Sequence, residues 1–215
     1  MINIKRSKII LVIFIIILWL FLGVSFIHSY KGTIATSTSV VEVNSTLIEE
    51  SYDNVQFLEW NEVNNYIFSR GTVAKVEDVY TGRKFNIIRT MGDNHADCET
   101  VTEADTQIMK EIFGGFNWSK RPILLYIDGK RYAASMAGMP HAGLDTAPAF
   151  IVVEGLSGGY GYGQNLDTIK NNNMDGVFDV HFINSRRHME GGVSATVDIE
   201  HQKNIEYLKN IIFTK

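Results

Sequence analysis

An apolar run near the N-terminus constrains this 215-residue chain more than any other feature. Residues 9–27 carry no charged side chain, and Ser25 is the only polar one among them. As an α-helix, a segment of this length spans roughly 28 Å, which matches the hydrocarbon thickness of a bilayer. An amphipathic helix of a globular domain would need a polar face, and this run has none. The run therefore predicts a transmembrane helix.

Basic side chains on one flank predict the orientation of this helix. Lys5, Arg6 and Lys8 precede the run, and the positive-inside rule keeps such a flank in the cytoplasm. The run also exceeds the apolar core of about 7–15 residues that secretory signal peptides use. We therefore predict a cytoplasmic flank at residues 1–8 and a single-pass signal anchor in the cell membrane at residues 9–27. The alternative is a cleaved signal peptide.

Composition divides the outward-facing part of the chain into two segments. Residues 28–56 are rich in Ser, Thr and Val and show no helical stripe, which is typical of an extended extracytoplasmic tether. Residues 57–215 have the length of one ordinary domain that can bury a core. The single cysteine, Cys98, excludes an internal disulfide framework. The fold must therefore rest on packing or on a metal.

The charge pattern excludes one class of partner. The formal net charge is −4 at pH 7, and no basic stripe with interleaved aromatic residues occurs outside the N-terminal flank. Nucleic-acid-binding domains carry such a basic surface. We therefore expect no nucleic acid partner for this domain.

Alternation of polar and apolar residues predicts two β-hairpins and two further strands, at residues 73–89, 122–136, 149–153 and 177–183. In the second hairpin, Asp128-Gly129 is a strong two-residue turn signal. The glycine-rich segment that follows, residues 155–163, is typical of a mobile loop.

Two helices complete the predicted fold. Thr102 begins a capping-box-like pattern, and Gly114-Gly115 ends that helix. A closing helix begins near Asp198, and its predicted core face is Ile199, Ile205, Leu208 and Ile212. The fold class is therefore α+β: a compact domain of antiparallel strands with two main helices, behind one N-terminal transmembrane helix.

Histidines in polar, acid-containing segments are the candidate metal ligands. His95 and Asp97 lie two residues apart in a predicted loop, so both can meet one metal, or Asp97 can orient His95. On its predicted strand, His181 shares a face with Asp179 and points away from the apolar face. Neutral imidazoles with a carboxylate suit catalytic zinc. We predict His95, Asp97 and His181 as ligands and zinc as the metal; the alternative is a set of solvated surface side chains.

Further polar side chains are candidates for catalysis and substrate binding. His141 and His188 are predicted to act as general acid or base, because imidazole transfers protons near neutral pH. Ser185 follows the strand that carries the predicted ligand histidine, and it is a third catalytic candidate. Arg186 and Arg187 would bind a substrate carboxylate.

Two residues allow two interpretations each. Cys98 lies just before a helix, where the dipole can lower a thiol pKa and where His95 is near in sequence; alternatively it is a small buried side chain. His201 shares one side of the closing helix with Asp198, although Asp198 can simply cap that helix and an exposed helical histidine needs no structural role.

Seven short motifs follow one another along residues 70–210: His95-Ala96-Asp97, Gly114-Gly115, Trp118-Ser119, Arg121-Pro122, Ala133–His141, His181–His188 and Asp198–Gln202. In this order they resemble a family of exported bacterial domains that are often attached to cell-wall-binding modules. The resemblance implies an extracytoplasmic location at the cell wall. It specifies family membership rather than a reaction.

A weaker similarity is to the L,D-transpeptidases, which place a His-Gly motif ahead of a Ser-x-Gly-Cys-x-Arg motif that carries the nucleophile. His141 would be the first histidine, and the nucleophile position would fall near Asp179. That position holds no cysteine, so the similarity does not transfer the transpeptidase mechanism to this chain.

These observations support three functional hypotheses. The leading one is a membrane-anchored extracytoplasmic enzyme that hydrolyses peptidoglycan or its stem peptides through a metal-binding, histidine-rich site. The second is a transpeptidase-like enzyme that uses Cys98. The third is a non-catalytic cell-wall binding or accessory protein. All three have peptidoglycan as the partner.

Overall fold

The computed structural model describes residues 54–188 and 194–213. In chain order these residues form β1 (Val55–Gln56), α1 (Trp60–Val63), β2 (Val73–Asp78), β3 (Lys84–Met91), β4 (Ala96–Thr100), α2 (Glu103–Phe113), β5 (Asn117–Ile127), β6 (Lys130–Gly138), β7 (Val152–Leu156), β8 (Gly161–Gln164), β9 (Phe178–His181) and α3 (Ile199–Phe213).

Six strands close into an antiparallel barrel. The strand order is β6-β5-β2-β3-β4-β9, and β9 pairs back onto β6, so the sheet closes on itself. The short strand β1 pairs in parallel with the first residues of β6, Arg131 and Tyr132, whereas β9 pairs with Ser135 and Met136 further along that strand. Closure pairs the strand edges that an open sheet would expose. The predicted α+β class with antiparallel strands is confirmed.

Both predicted hairpins are present. β2 pairs with β3, and β5 pairs with β6, each in antiparallel register. Asp128 and Gly129 both have positive φ angles, 49° and 74°, as a tight two-residue hairpin turn requires. The apolar residues 122–125 at the centre of β5 are buried, because this strand lies between two neighbours in the barrel wall and is covered on both faces.

The helix α2 begins and ends where its sequence signals place it. Thr102 and Asp105 form a reciprocal capping box, and Gly114 ends the helix in the left-handed conformation. The buried side of α2 includes Met109 and Ile112, which join the same hydrophobic core as the barrel strands. The predicted helix is confirmed.

Two local predictions differ from the structure. The glycine-rich segment at residues 155–163 belongs to the β7–β8 hairpin and is not an irregular loop, because its left-handed glycines close a tight turn. On α3, Ile199 is exposed and His201 is buried. The core face was predicted from the spacing of apolar residues alone, and that spacing cannot show that a polar residue such as His201 is buried.

Parts of the predicted membrane topology lie outside the described residues. The anchor at residues 9–27 and most of the tether at residues 28–56 fall there. The last tether residues, Val55–Gln56, belong to the domain as β1. Among the residues that the structure describes, no helix is both long and apolar enough to cross a bilayer.

Candidate metal centre

Two adjacent barrel strands bring the predicted ligands together. His95 lies immediately before β4, Asp97 lies on β4, and His181 lies at the end of β9. The β4–β9 register makes Asp97 and Asp179 direct cross-strand partners. Like charges opposite each other destabilise an antiparallel pair. This site therefore requires a positive charge between the two carboxylates.

The side chain of His95 lies between these carboxylates. Its Nε2 atom is 3.0 Å from Oδ1 of Asp97 and 3.3 Å from Oδ1 of Asp179. Its Nδ1 atom lies 2.6 Å from the carbonyl oxygen of Arg186. A carbonyl only accepts, so Nδ1 carries a proton and donates it. In the neutral imidazole, the lone pair of Nε2 therefore faces both carboxylates.

Three atoms at the centre of this cluster have no hydrogen-bond partner in the described structure. They are Nε2 of His95, Oδ1 of Asp97 and Oδ1 of Asp179, and all three are buried. Buried polar atoms are normally paired. A tetrahedral ion with bonds of about 2.0–2.2 Å holds its ligand atoms roughly 3.3–3.6 Å apart. The observed separations from His95 are close to that spacing.

Two further histidines border the cluster. The ring of His188 packs edge-on against His95, and its Nε2 atom is 3.8 Å from Oδ1 of Asp97. The ring of His181 stacks on His95 at a centroid distance of 4.4 Å. Two overlapping groups of possible ligands result: His95, Asp97 and His188, and His95, Asp179 and His181. His188 is half exposed, so the cluster opens to solvent on its side.

Electrostatics in the metal-free protein agree with this crowding. Burial alone would lower the pKa of His95, but the carboxylates of Asp179 and Asp97 outweigh it and raise that pKa to about 10. Burial would raise the pKa of Asp97, yet His188 and His95 hold it well below its usual range. The pKa of Asp179 is also held well below its usual range, because the interaction with His95 outweighs the effect of burial, which would raise it. A proton on His95 thus supplies the positive charge when no metal does.

Helix α3 covers the other side of the cluster. The ring of His201 is fully buried and lies parallel to that of His181, with centroids 3.8 Å apart. Ser135 holds it in place through a 2.8 Å contact between Oγ and Nδ1 of His201, and Asn204 donates to the same hydroxyl. Burial, and then the charge of His201, lowers the pKa of His181 well below its usual range. His181 is therefore neutral, as a metal ligand must be.

His181 lies on the strand face opposite the core residues Phe178, Val180 and Phe182, as the alternating pattern predicts. It is nevertheless buried, with 1% exposed, so the alternative of a solvated surface side chain does not hold for it. The reason is tertiary: α3 packs over β5 and β6 and brings His201 onto the ring. His201 is buried as well, so the interpretation of it as an exposed helical histidine does not hold, and it becomes part of the site.

His141 approaches the cluster from a different loop. Its Nδ1 atom lies 3.1 Å from the carbonyl oxygen of Met139, so Nδ1 carries the proton and Nε2 is unprotonated in the neutral ring. Nε2 lies 3.6 Å from Oδ1 of Asp179. A backbone bridge to Val177, just before β9, fixes this loop against the barrel. His141 is therefore held beside the cluster in a defined tautomer.

The tight approach of two loops fixes the position of His141. A Cβ atom on Gly143 would lie 2.0 Å from the Cα of Gly176, and one on Gly158 would lie 2.4 Å from the Cβ of His141. Only glycine permits these backbones to approach so closely. The glycine-rich segment is thus part of the wall of the site.

A buried arginine fixes the loop that leads into His95. The guanidinium of Arg89 is enclosed and donates to the carbonyl oxygens of Met91 and Gly92, while it stacks over Trp60 at 4.7 Å. A side chain at Gly92 would collide with the carbonyl oxygen of His95 at 2.2 Å. These contacts hold the loop in the conformation that places His95 beside Asp97.

The other predicted site residues lie outside the cluster. Ser185 is fully buried, and its Oγ accepts a hydrogen bond from the backbone N–H of Phe182, which is a structural contact. Arg186 contributes its carbonyl oxygen to His95, while its side chain lines a surface groove. Arg187 lines a second groove, next to Lys120. Within the described residues, neither guanidinium pairs with a carboxylate of the cluster.

Cys98 occupies the hydrophobic core. It is completely buried, and burial together with the charge of Asp97 raises its thiol pKa well above the usual value. A nucleophilic cysteine needs an accessible thiolate. The geometry therefore favours the alternative interpretation of Cys98 as a small buried side chain.

Sequence reasoning did not select two residues of the cluster. Asp179 is predicted to share a strand face with His181 and to occupy the nucleophile position of the L,D-transpeptidases, but it is not among the predicted ligands. His201 gave no signal of burial, because that depends on how α3 packs. No protein-family model, curated protein or solved structure matches this chain.

Proposed function

We propose that the cluster of His95, Asp97 and Asp179 binds a divalent metal ion and that the protein is a metal-dependent hydrolase of the cell envelope. One observation carries the proposal: Nε2 of His95 lies 3.0 Å from Oδ1 of Asp97 and 3.3 Å from Oδ1 of Asp179, close to a tetrahedral spacing, and none of these three buried atoms has a hydrogen-bond partner in the described structure. A metal ion bound beside His95 would take up its lone pair and neutralise the opposed carboxylates.

The donor set favours zinc. Imidazole nitrogen and carboxylate oxygen are ligands that zinc accepts in catalytic sites. The Nδ1–H of His95 donates to the Arg186 carbonyl, which is the outer contact that orients ligand histidines in metal sites. His188 borders the solvent side of the cluster, where a catalytic zinc would keep its fourth position open for a water. The buried ring of His181 packs against His95 and fixes its plane.

The metal would supply Lewis acidity and a water of lowered pKa. His141 would then act as the general base, because its tautomer leaves Nε2 free of a proton on the side that faces Asp179. The substrate is peptidoglycan or its stem peptides, on the strength of the predicted outward orientation and the family resemblance of the sequence. Membrane anchoring through residues 9–27 belongs to the same proposal.

A cell-wall binding protein without catalysis is the second candidate. The observation that favours it is the high pKa of His95: with a proton in place of a metal, the cluster is a self-contained ion-pair network. Metal content separates the two candidates, because a binding protein has no need of the ion.

The test is hydrolysis of purified peptidoglycan by zinc-loaded protein. We expect His141→Gln to retain zinc and to lose about 100-fold or more in kcat, since general acid–base groups typically contribute that much. Asp93→Asn, which changes an exposed carboxylate close in sequence to His95, is the control and should retain activity. Full activity of the wild type in excess chelator would contradict the metal mechanism, and an active His141→Gln enzyme would remove His141 from it.

A further inference from the structure

Two aromatic side chains lie on either side of His141. The indole of Trp118, on β5, is 5.2 Å from the imidazole, and the ring of Tyr160, in the β7–β8 turn, is 5.0 Å from it on a stacked geometry. The three rings pack against one another beside the proposed metal centre and are called the aromatic wall below. Each comes from a different part of the chain, so tertiary structure alone assembles this wall.

The turn that carries Tyr160 is held firmly against the barrel. The Oγ atom of Ser157 accepts a hydrogen bond from the backbone N–H of Gly143, and the carbonyl oxygen of Ser157 accepts one from Ala142. Gly158 lies so close to His141 that any side chain there would overlap it. The backbone next to Tyr160 is therefore held against the His141 loop, and the phenol ring stacks on the imidazole.

Both outer rings are about half exposed. The exposed fraction is 47% for Trp118 and 49% for Tyr160, and Tyr162 on the same hairpin is exposed by 71%. Single exposed aromatic residues are common and need no explanation. Here two of them border the same catalytic candidate, and their fixed positions make the exposed faces available for a ligand without further ordering.

We propose that Trp118 and Tyr160 form a subsite that binds the pyranose rings of a glycan strand. This inference rests on the proposed function, since it names the part of the substrate that the same site would hold. The exposed faces of Trp118 and Tyr160 can pack against the C–H face of a pyranose ring, beside the polar groups of the cluster. The stem peptide is the other part of the substrate, and the test distinguishes it.

The experiment measures binding by tryptophan fluorescence and calorimetry, using the full chain in chelator. The probes are β-1,4-linked oligomers of N-acetylglucosamine and, separately, a free stem tetrapeptide. We expect the oligosaccharide to bind the wild type, and Trp118→Ala and Tyr160→Ala each to weaken binding about tenfold or more. Tyr66→Ala, which removes an aromatic ring that is 85% exposed, is the matched control and should bind like the wild type. Unchanged thermal melting shows that the variants are folded.

Three outcomes overturn the inference: no oligosaccharide binding by the wild type, unchanged binding by both variants, or loss of tetrapeptide binding alone. Because binding is measured without metal and without turnover, its result is independent of hydrolysis. Glycan binding by a protein that takes up no zinc would support the subsite and refute the hydrolase. Zinc uptake and hydrolysis by the wild type, together with unchanged oligosaccharide binding by Trp118→Ala and Tyr160→Ala, would support the hydrolase and refute the subsite.

Discussion

At the scale of single residues, the site is defined by the way two carboxylates face each other across β4 and β9. Asp97 and Asp179 are direct partners in the register, and the imidazole of His95 reaches both of them. A positive charge between them is a physical requirement that either a proton or a metal ion meets. This gives the metal-free protein a distinctive dependence on pH.

The sign of that dependence follows from the pKa of His95. Its ordinary value is 6.5 and its folded value is about 10, so its contribution to stability is fully present below about pH 6.5 and is lost as pH rises through about 10. We expect the free energy of unfolding of the metal-free protein to fall by a few kcal/mol between pH 7 and pH 10. Urea titrations at a series of pH values measure it.

The matched variant for this measurement is His95→Gln. It removes the titrating group, so its free energy of unfolding should change little over the same range, although it is lower throughout because two buried carboxylates lose their counter-charge. An equally steep loss of stability in His95→Gln would show that another group is responsible. On the acid side, the lowered pKa values of Asp97 and Asp179 stabilise the fold above their ordinary value of 3.8, and this is lost as pH falls.

At the scale of elements, the loop that carries His141 depends on backbone-to-backbone packing. Gly143→Ala would push its Cβ onto the backbone of Gly176, where no flexible side chain can yield. We expect a loss of about 2 kcal/mol or more in stability, together with weaker activity, because His141 would shift from Asp179. Thermal denaturation and peptidoglycan hydrolysis are the two readouts.

Gly163→Ala is the control for this prediction. A Cβ atom there meets only the side chain of Leu156, at an ordinary 3.4 Å, and its φ angle is not in the left-handed region. Its stability should stay within about 1 kcal/mol of the wild type. Similar behaviour of the two alanine variants would mean that the contact between Gly143 and Gly176 is not essential.

Elements that are formed by interactions between residues close in sequence could be predicted, and elements that depend on distant residues could not. The two hairpins and α2 could be predicted because Asp128-Gly129 and Thr102 act within a few residues. The β7–β8 hairpin could not, since its turn is formed against His141, which is distant in sequence. Likewise, His95 and Asp97 are ligand candidates by composition. Their meeting with Asp179 results from β4–β9 pairing across 82 residues, from Asp97 to Asp179.

At the scale of the whole domain, barrel closure and metal binding are linked. β9 closes the barrel by pairing with both β4 and β6, and the candidate ligands lie on or beside β4 and β9. With one cysteine, the chain has no internal disulfide that could join these strands. A metal ion would therefore act as the cross-link at the closing seam, in addition to its chemical role.

The most direct test of the central claim is the zinc content and zinc affinity of the purified protein. Elemental analysis and calorimetric titration should show one zinc ion per chain, with proton release from His95 on binding. Asp179→Asn should lower the affinity by about 100-fold or more, and Asp93→Asn should leave it unchanged. A wild-type protein that binds no divalent metal, or an Asp179→Asn variant that binds zinc as tightly as the wild type, would contradict the account.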